Sequence, residues 1–393
     1  MKEKERSYKI TKATTPPYEK SDFIINAEFD FRRYHQGNGD MWPITWGLDG
    51  HLYAAAGDNR LSPCNFWRIR GEPYTPRGGS YDGESYQNCW FLDLINNYPL
   101  DPVKYCRRAD VHPLRGIKPA GLLDVEGCMY FAVQLHNSGT NPDFNRQENV
   151  SGWIITSWDY GQTWNETATP IDFFTKRLSS IHFVQQGGSG YRNALDKFVY
   201  ATFPCARDGR SYWENGDCML LGRVQTRHII DREHWEFFTG LDKNNAPVWS
   251  KDGDKASEIF AYPSMTGENH VSYNQGLNRY IMGNYSFLDD DGNPKPYHNL
   301  HWPDNTKRCQ LTLYESEKLW GPWKLFYQDD NWGYWGGYQP AFPQKWMYNH
   351  GKTMFMVSSG SNDDYNFTVQ RLDVQTRDEN VHVLKTDANE RLY

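Results

Sequence analysis

Apolar residues in this chain fall in short runs rich in β-branched and aromatic side chains, bounded by Gly, Pro, Asn and Asp. Such runs predict strands followed by turns, whereas helical periodicity is almost missing. Six clear runs are 51–56, 129–133, 152–156, 197–201, 279–282 and 353–357. Short strands at regular spacing predict a sandwich, a barrel or a propeller.

One phrase separates these three architectures. Residues 157–164 read SWDYGQTW, which fits the pattern S-x-D-x-G-x-T-W. The phrase resembles the Asp-box, a hairpin of sialidase-like propellers. In such a turn the carboxylate of Asp159 accepts backbone N–H groups, Gly161 takes a positive φ and Trp164 packs beneath. We therefore interpret Asp159 as a structural residue away from the active site.

Turn phrases with D-G or N-x-G character precede several of the apolar runs, at 48–51, 124–127, 274–277 and 349–352. Their spacing predicts an all-β fold, a single five-bladed β-propeller with four antiparallel strands per blade and about 40–70 residues per blade. Two loop-rich stretches, 60–116 and 285–308, are predicted to be excursions on one face. Residues 1–20 are predicted to form a flexible arm, and residues 21–393 the single domain.

Composition narrows the classes of function. Aromatic residues make up 16% of the 393, with 16 Trp and 26 Tyr. They suit sheet packing, and they also form flat platforms on which sugar rings stack. The net charge is −7 without a basic block, so nucleic acid is not an expected partner. No apolar run is long enough for a membrane span. A carbohydrate is the expected partner, and no obligate protein partner is evident.

The N-terminal sequence MKEKERSYKITK lacks the apolar region of a signal peptide. We therefore expect a cytoplasmic protein, or a secreted one whose leader has been removed. Seven cysteines without any C-x-x-C argue against a zinc ribbon or a thioredoxin-like motif, and one or two disulfides are left open. No cofactor is expected. Calcium at the propeller axis, or on the Asp-rich turn 289–292, is left open.

Four ordered phrases resemble a family of β-propellers, long catalogued only as a domain of unknown function, whose members include endo-D-arabinanases. They are GDMWPITW at 39–46 continuing to 58, GRV at 222–224 with WEFFTGLD at 235–242, HVSYN at 270–274, and YES, WGPW, YQP and SSG between 314 and 360. The resemblance implies a propeller fold and a glycoside hydrolase that cuts arabinan chains. The resemblance is stronger evidence for the fold than for the substrate, because propellers carry out many different reactions.

Two acids in the first phrase are the catalytic candidates. Glycoside hydrolysis usually takes one carboxyl as proton donor and a second as base or nucleophile. Asp40 stands at the start of the predicted innermost strand, and Asp58 follows the next strand directly after Ala-Ala-Ala-Gly. Both are therefore predicted to face an axial cleft. The alternative is that each caps a turn, as Asp residues near Gly often do.

Six further residues are candidates for substrate binding. The segment 268–274 gathers carboxylate, imidazole, phenol and amide groups that suit sugar hydroxyls, although a hydrogen-bonded strand edge would use the same residue types. Aromatic platforms are predicted at three positions. The full set is Trp42, Trp46, Glu268, His270, Tyr273 and Asn274.

Two other function classes stay open. A polysaccharide lyase of the ulvan-lyase kind uses Tyr or His as acid and base, with Arg neutralising the uronate. The residues that could serve this reaction are His112, His136, Tyr191 and Arg207. The absence of a basic cluster argues against a polyanionic substrate. A non-catalytic sugar-binding propeller would keep the aromatic platforms and need no pair of carboxyls.

Overall fold

The computed structural model describes residues 15–59, 62–73, 90–97, 116–136, 148–288, 291–294, 308–333, 337–361 and 364–377. In these ranges the chain is almost entirely β-structure, and helix is confined to 3₁₀ turns of three residues. None of the described helices has the length and apolarity that a membrane crossing requires.

The strands follow one another in five groups along the chain. Their bounds are β1 Ile24–Gln36, β2 Asp40–Trp46, β3 Leu52–Asn59, β4 Ser62–Gly71, β5 Trp90–Asn97, β6 Ile117–Val125, β7 Cys128–His136, β8 Asn149–Ser157, β9 Phe174–Thr175, β10 His182–Phe183, β11 Phe198–Cys205, β12 Gly216–Gln225, β13 Glu236–Leu241, β14 Pro247–Ser250, β15 Glu258–Thr266, β16 His270–Asn274, β17 Arg279–Leu288, β18 Arg308–Ser316, β19 Lys324–Gly333, β20 Tyr338–Ala341, β21 Met347–Tyr348, β22 Thr353–Ser361 and β23 Asp364–Thr376. The 3₁₀ turns are Lys176–Leu178, Ser189–Tyr191, Thr226–His228, Arg232–His234, Gly253–Lys255 and Gln344–Trp346.

These strands form a five-bladed β-propeller, as the turn spacing predicts. Blade 1 is β2–β5, blade 2 is β6–β9, blade 3 is β10–β14 with β15, blade 4 is β16–β19, and blade 5 is β20–β23 with β1. The innermost strands β2, β6, β10, β16 and β20 pack against one another in that order around the axis. We call the face at which they begin the upper face, and the face at which they end the lower face.

Blade 5 closes the ring with strands from both ends of the chain. The N-terminal strand β1 pairs antiparallel with β23, in a register that runs from Ile24 opposite Thr376 to Gln36 opposite Phe367. Aromatic rings then seal blade 5 against blade 1, where Trp90 lies 6.2 Å from Trp346 between ring centroids. Closure leaves few open strand edges, which is how propellers avoid edge-to-edge association.

The predicted turns are confirmed in four blades. The phrases at 48–51, 124–127, 274–277 and 349–352 each connect the inner part of a blade to its second strand. The stretch 60–116, however, contains β4 and β5, so the prediction that it is a loop excursion is wrong for those residues. In β5 the apolar Phe91 and Leu94 are exposed, and in β4 the polar Asn65 is buried, so these outer strands lack the continuous buried apolar runs by which the inner strands are recognised.

Part of the predicted N-terminal arm contacts the propeller. Residues 15–20 of the arm are described, and there Tyr18 stacks on Phe260 with ring centroids 4.8 Å apart.

The described cysteines are buried free thiols, at positions 64, 128, 205, 218 and 309. Cys89 and Cys106 lie outside the described residues.

The hairpin at 157–164 is held by the carboxylate of Asp159. Its Oδ1 accepts the backbone N–H of Thr163 at 2.8 Å, and its Oδ2 accepts the Thr163 hydroxyl at 2.6 Å. Gly161 has φ +84°, and a Cβ there would lie 2.2 Å from the ring of Phe66. Trp164 packs edge-on against the same ring. Glycine is therefore required by both backbone conformation and space.

Replacing Asp159 by Ala is expected to lower the free energy of unfolding by about 1–2 kcal/mol. The reason is that its carboxylate accepts three hydrogen bonds in the turn, one from Ser157 and two from Thr163. Catalytic turnover should stay unchanged, since the turn lies in the β8–β9 connection. Urea unfolding measures the first effect and an activity assay the second, with the exposed Glu233→Ala as control. A mutant that keeps its stability but loses turnover would contradict the structural assignment.

Candidate active site

Polar side chains gather at the upper face, where the inner strands begin. Each inner strand carries a polar residue at or near its first position, and all of these residues are buried. Since the strands start side by side around the axis, their first residues converge there. The set is Asp40 on β2, Lys118 on β6, Ser180 and His182 on β10 and its approach, Glu268 and His270 on β16 and its approach, and Gln339 on β20.

Glu268 is the centre of a hydrogen-bond network at this face. Its Oε2 accepts from Gln339 Nε2 at 2.5 Å. Its Oε1 lies 3.0 Å from Ser180 Oγ and 3.3 Å from Asn149 Nδ2. The carboxyl is fully buried, and the side chains that contact it are uncharged at neutral pH. The network can therefore hold a carboxyl in its neutral form.

Ser180 links Glu268 to two further side chains. Its Oγ lies 2.7 Å from Gln134 Oε1, 2.7 Å from His182 Nε2 and 3.0 Å from Glu268 Oε1. Gln134 in turn donates its Nε2 to the Pro119 carbonyl at 3.3 Å. The hydroxyl of Ser180 has a single proton, so it cannot be the donor in all three contacts at once.

Burial favours the neutral form of each titratable group at the axis. It raises the pKa of Glu268 to about 8 and lowers the pKa of His270 to about 4. Burial, assisted by the neighbouring His270, also moves the pKa of His182 well below its ordinary value. The low dielectric interior penalises the charged form of each group. At neutral pH the site thus holds a neutral carboxylic acid beside neutral imidazoles.

Asp40 occupies a second region of the upper face, between β2 and β6. A Cβ on Gly57, its register partner on β3, would lie 2.5 Å from Asp40 Oδ1, so only glycine leaves room for the carboxylate. The two residues after Asp40, Met41 and Trp42, have φ of +77° and +57°. Such backbone strain in non-glycine residues often accompanies functional sites.

Lys118 supplies the positive charge next to Asp40. Its Nζ forms an ion pair with Asp58 Oδ1, and its side chain is almost completely buried. Burial alone would lower the pKa of Lys118, but the charges of Asp40 and Asp58 outweigh it and raise that pKa above its ordinary value. Asp58 itself is 42% exposed and lies next to the last residue of β3. The two predicted catalytic acids are therefore neighbours that share one lysine.

Several buried polar atoms at the axis have no protein partner. Within the described ranges, His182 Nδ1, Asn149 Oδ1 and Asn269 Oδ1 make no hydrogen bond to another side chain or to the backbone. Buried polar atoms are rarely left in this state unless a ligand or water completes them.

The predicted substrate-binding residues are divided between the core and the two faces. Glu268 and His270 lie at the upper face beside the axis. Trp42 is completely buried, packs against Phe367 and donates its Nε1 to the Gly39 carbonyl at 3.0 Å. It therefore leaves no ring face for a sugar, contrary to the sequence interpretation. Trp42 lies two residues after Asp40 in β2, and its side chain packs in the interface between blades 1 and 5.

Three other candidates lie at the lower face. Trp46 ends β2, while Tyr273 and Asn274 end β16, about 13 Å along the strand from His270 at 3.3 Å per residue. Asn274 is buried and donates Nδ2 to the Gly351 carbonyl at 2.8 Å. The three residues line a lower-face pocket of about 480 Å³ together with Arg192. They are thus remote from Asp40 and Glu268.

The three described residues of the alternative lyase site lie in different parts of the propeller. Tyr191 is buried at the lower face and donates its hydroxyl to the Phe198 carbonyl at 2.8 Å. Phe198 begins β11, and Arg207 lies just beyond the other end of this strand, about 23 Å away at 3.3 Å per residue. Arg207 pairs with Glu258 at 2.7 Å. His136 is buried at the upper face, opposite Asn149 in the β7–β8 register. His112 lies outside the described residues.

Metal ligation was also left open by the sequence. On the Asp-rich turn, Asp289 and Asp290 lie outside the described residues. Among the residues that the structure describes, no group of three His, Cys, Asp or Glu side chains gathers at the axis.

Sequence reasoning missed Lys118, Ser180, His182 and Gln339. One signal could have found two of them: Lys118 and Gln339 each directly precede a proline, and Asp40 precedes Pro43 by three residues. Proline is tolerated at the start of a strand, so a polar residue just before a proline and an apolar run marks the start of an inner strand. Ser180 and His182 have no such signal, because β10 is only two residues long.

The raised pKa of Glu268 predicts a pH-dependent stability. Between its ordinary value of 4.5 and about 8, the folded state holds a proton that the unfolded state releases. Wild-type stability should therefore fall as the pH rises through this window, by up to about 1.4 kcal/mol per pH unit. Glu268→Gln cannot titrate, so the free energy of unfolding of the mutant should increase relative to that of the wild type as the pH rises.

Urea unfolding at about pH 5 and about pH 8 measures this difference. The exposed Glu233→Gln serves as the control and should follow the wild type. Parallel pH profiles of the wild type and Glu268→Gln would show that Glu268 is ionised in the folded protein.

Comparison with known proteins gives only distant likenesses. No family model and no curated protein sequence matches the chain. In structure it is similar to the GH43_1 enzyme from Xanthomonas citri complexed with xylose, with a TM-score of 0.43 and 12% identity over 87% of this chain and 88% of that one. It is also similar to the catalytic domain of the Coprinopsis cinerea GH62 alpha-L-arabinofuranosidase, with a TM-score of 0.39 and 10% identity over 93% and 99% of the two chains.

A third similar structure is the alpha-L-arabinofuranosidase from Podospora anserina in complex with cellotriose, with a TM-score of 0.40 and 8% identity over 92% and 98% of the two chains. These structural neighbours are glycoside hydrolases.

Proposed function

We propose that this protein is a glycoside hydrolase, with Glu268 as proton donor and Asp40 as the base or nucleophile. The observation that carries the proposal is the fully buried carboxyl of Glu268, whose pKa is raised to about 8, at the same face as Asp40. Glycosidases need one carboxyl that is protonated at working pH and one that is ionised. Here the surroundings of Glu268 favour its protonated form, and the surroundings of Asp40 favour its ionised form.

The surroundings of each acid support its role. Glu268 is contacted by uncharged donors, and no described cation pairs with it, so it can give up a proton to a glycosidic oxygen. Asp40 lies next to the charged Lys118, which favours its ionised form. Asp58 is half-exposed and paired with the same lysine. We therefore assign Asp58 to holding Lys118 in place, and Glu268 replaces it as the second member of the catalytic pair.

The proposed substrate is a neutral polysaccharide or oligosaccharide. The unsatisfied polar atoms described at the axis include those of Asn149, His182 and Asn269, which are neutral groups suited to sugar hydroxyls. Arabinan is the first substrate to test, because the phrase around Asp40 resembles the family that includes endo-D-arabinanases. An endo-acting arabinanase is the finer form of the proposal.

The test is a digest of arabinan, arabinoxylan and xylan with product analysis by chromatography and reducing-end detection. Release of reducing sugars from a neutral polysaccharide supports a hydrolase, and the size of the products distinguishes endo from exo attack. Products that carry an unsaturated uronate, detected by ultraviolet absorption, would replace the proposal with the lyase. Binding without any product would leave a sugar-binding propeller.

A further inference from the structure

A short segment at the outer part of blade 3 carries three metal-ligating side chains at regular spacing. Residues 226–235 connect β12 to β13 and contain two 3₁₀ turns, Thr226–His228 and Arg232–His234. His228 ends the first turn, Asp231 precedes the second turn with extended backbone (φ −104°, ψ 100°), and His234 ends the second turn. Their side chains nevertheless come together on one side of the segment.

Core contacts fix the backbone of this segment. Ile229 and Trp235 are buried, and Trp235 donates its Nε1 to the Ile229 carbonyl at 3.0 Å. The guanidinium of Arg232 lies 4.7 Å from the ring centroid of Phe174. Backbone bonds from Asp231 to His228, and from His234 to Asp231, complete the two turns. Contacts with the core therefore hold in place the backbone that bears the three candidate ligands.

The three ligand side chains are already close together. His228 Nδ1 lies 2.8 Å from Asp231 Oδ2, and the rings of His228 and His234 stack with centroids 3.8 Å apart. One ligand atom from each residue lies within 4.8 Å of the other two. Ligands of a tetrahedral zinc ion are roughly 3.4 Å apart, given metal–ligand bonds of about 2.0–2.2 Å. His234 is exposed, so rotation of its side chain can close the remaining gap.

A neighbouring arginine sets the tautomer of the first ligand. Arg227 Nε donates to His228 Nε2 at 3.1 Å, so Nε2 is the acceptor and the ring proton lies on Nδ1, 2.8 Å from Asp231 Oδ2. Binding of a cation through Nδ1 requires this proton to leave Nδ1 and Nε2 to become the protonated nitrogen, so Arg227 has to release Nε2 when the cation binds.

We propose that His228, Asp231 and His234 bind one divalent transition-metal cation of the zinc class. Two imidazoles and one carboxylate suit zinc, nickel or copper, whereas magnesium and calcium prefer oxygen ligands. Three protein ligands leave a fourth position for solvent. The β12–β13 connection lies at the lower face, outside the axial cluster, so the cation serves to clamp this connection and has no part in the proposed hydrolysis.

Titration calorimetry with zinc chloride, on the full chain without an affinity tag, tests the proposal. One equivalent should bind, and His234→Ala and Asp231→Asn should each weaken binding by at least about tenfold. The exposed His35→Ala, on β1, is the matched control and should bind like the wild type. Magnesium chloride should give no binding at this site.

Cobalt chloride provides a readout that does not depend on affinity alone. A cobalt ion held by imidazole and carboxylate ligands should show visible absorption bands, and these should be lost in His234→Ala. Circular dichroism of the variants checks that they remain folded. If zinc binds the variants as tightly as the wild type, or if the wild type binds no zinc, the site is refuted. Neither outcome affects the proposed hydrolase, whose residues lie at the axis.

Discussion

Replacing Glu268 by Gln is expected to lower kcat by about 10²–10⁴, the usual contribution of a general acid. Glutamine keeps the shape and can still bond to Gln339 and Ser180, but it has no proton to transfer to the leaving oxygen. Affinity for a sugar should change much less than kcat. Steady-state kinetics on the substrate that the polysaccharide digest identifies measures both quantities.

The pH profile makes this prediction more specific. Because the pKa of Glu268 is raised to about 8, wild-type activity should fall on the alkaline side as the proton is lost. The residual activity of Glu268→Gln should lack that alkaline limb. Binding of the substrate can shift the limb, so kcat/KM, which reports the free enzyme, is the quantity to plot.

A second buried acid of blade 4 provides the control. Glu315 lies at the end of β18, pairs with Arg279 at 3.0 Å and is also buried. Glu315→Gln should reduce stability without a comparable loss of kcat. A Glu268→Gln protein that is folded and retains near-normal turnover would remove Glu268 from the catalytic pair.

Replacing Asp40 by Asn is expected to lower kcat by about 10²–10⁴ as well, since an amide can neither accept a proton nor attack an anomeric carbon. The substitution is nearly isosteric, so the close contact with Gly57 is kept. The acidic limb of the pH profile, which reports ionisation of the base, should disappear with it. The same kinetic assay measures the effect.

Comparison with Asp58→Asn separates the roles of the two acids that share Lys118. Loss of Asp58 removes the ion-pair partner of a buried lysine, so stability should fall while kcat decreases less than in Asp40→Asn. Asp242→Asn, in an exposed turn of blade 3, is the control for the substitution itself. If Asp58→Asn is the more damaging of the two to kcat, the assignment of base and supporting residue has to be exchanged.

Sequence patterns were informative where a local conformation decides the outcome. The Asp159 turn requires a carboxylate, a glycine and an aromatic residue at fixed offsets, so its eight residues could be interpreted without neighbours. The four inner turns are likewise local, since Asn, Asp and Gly adopt positive φ or cap the turn with their own side chains. The five-bladed fold follows because such local units repeat.

The catalytic assignment depended on contacts that no local pattern contains. Asp40 and Asp58 could be selected as a pair because they are close in sequence. The partners of Glu268 come from four other parts of the chain, at Gln134, Asn149, Ser180 and Gln339. Each of these residue types is common in surface strands, so their convergence is not visible before the ring closes.

The sequence by itself determined the fold class, the repeating hairpins and the structural role of Asp159, because those depend on residues within a few positions of one another. Tertiary structure alone decided that Trp42 belongs to the core, that Trp46 and Tyr273 lie at the opposite face from Asp40, and that Glu268 is buried among uncharged donors. A propeller brings the first residues of five distant strands to one axis. Burial there, which depends on all five blades at once, raises the pKa of Glu268 and makes an ordinary glutamate a candidate acid.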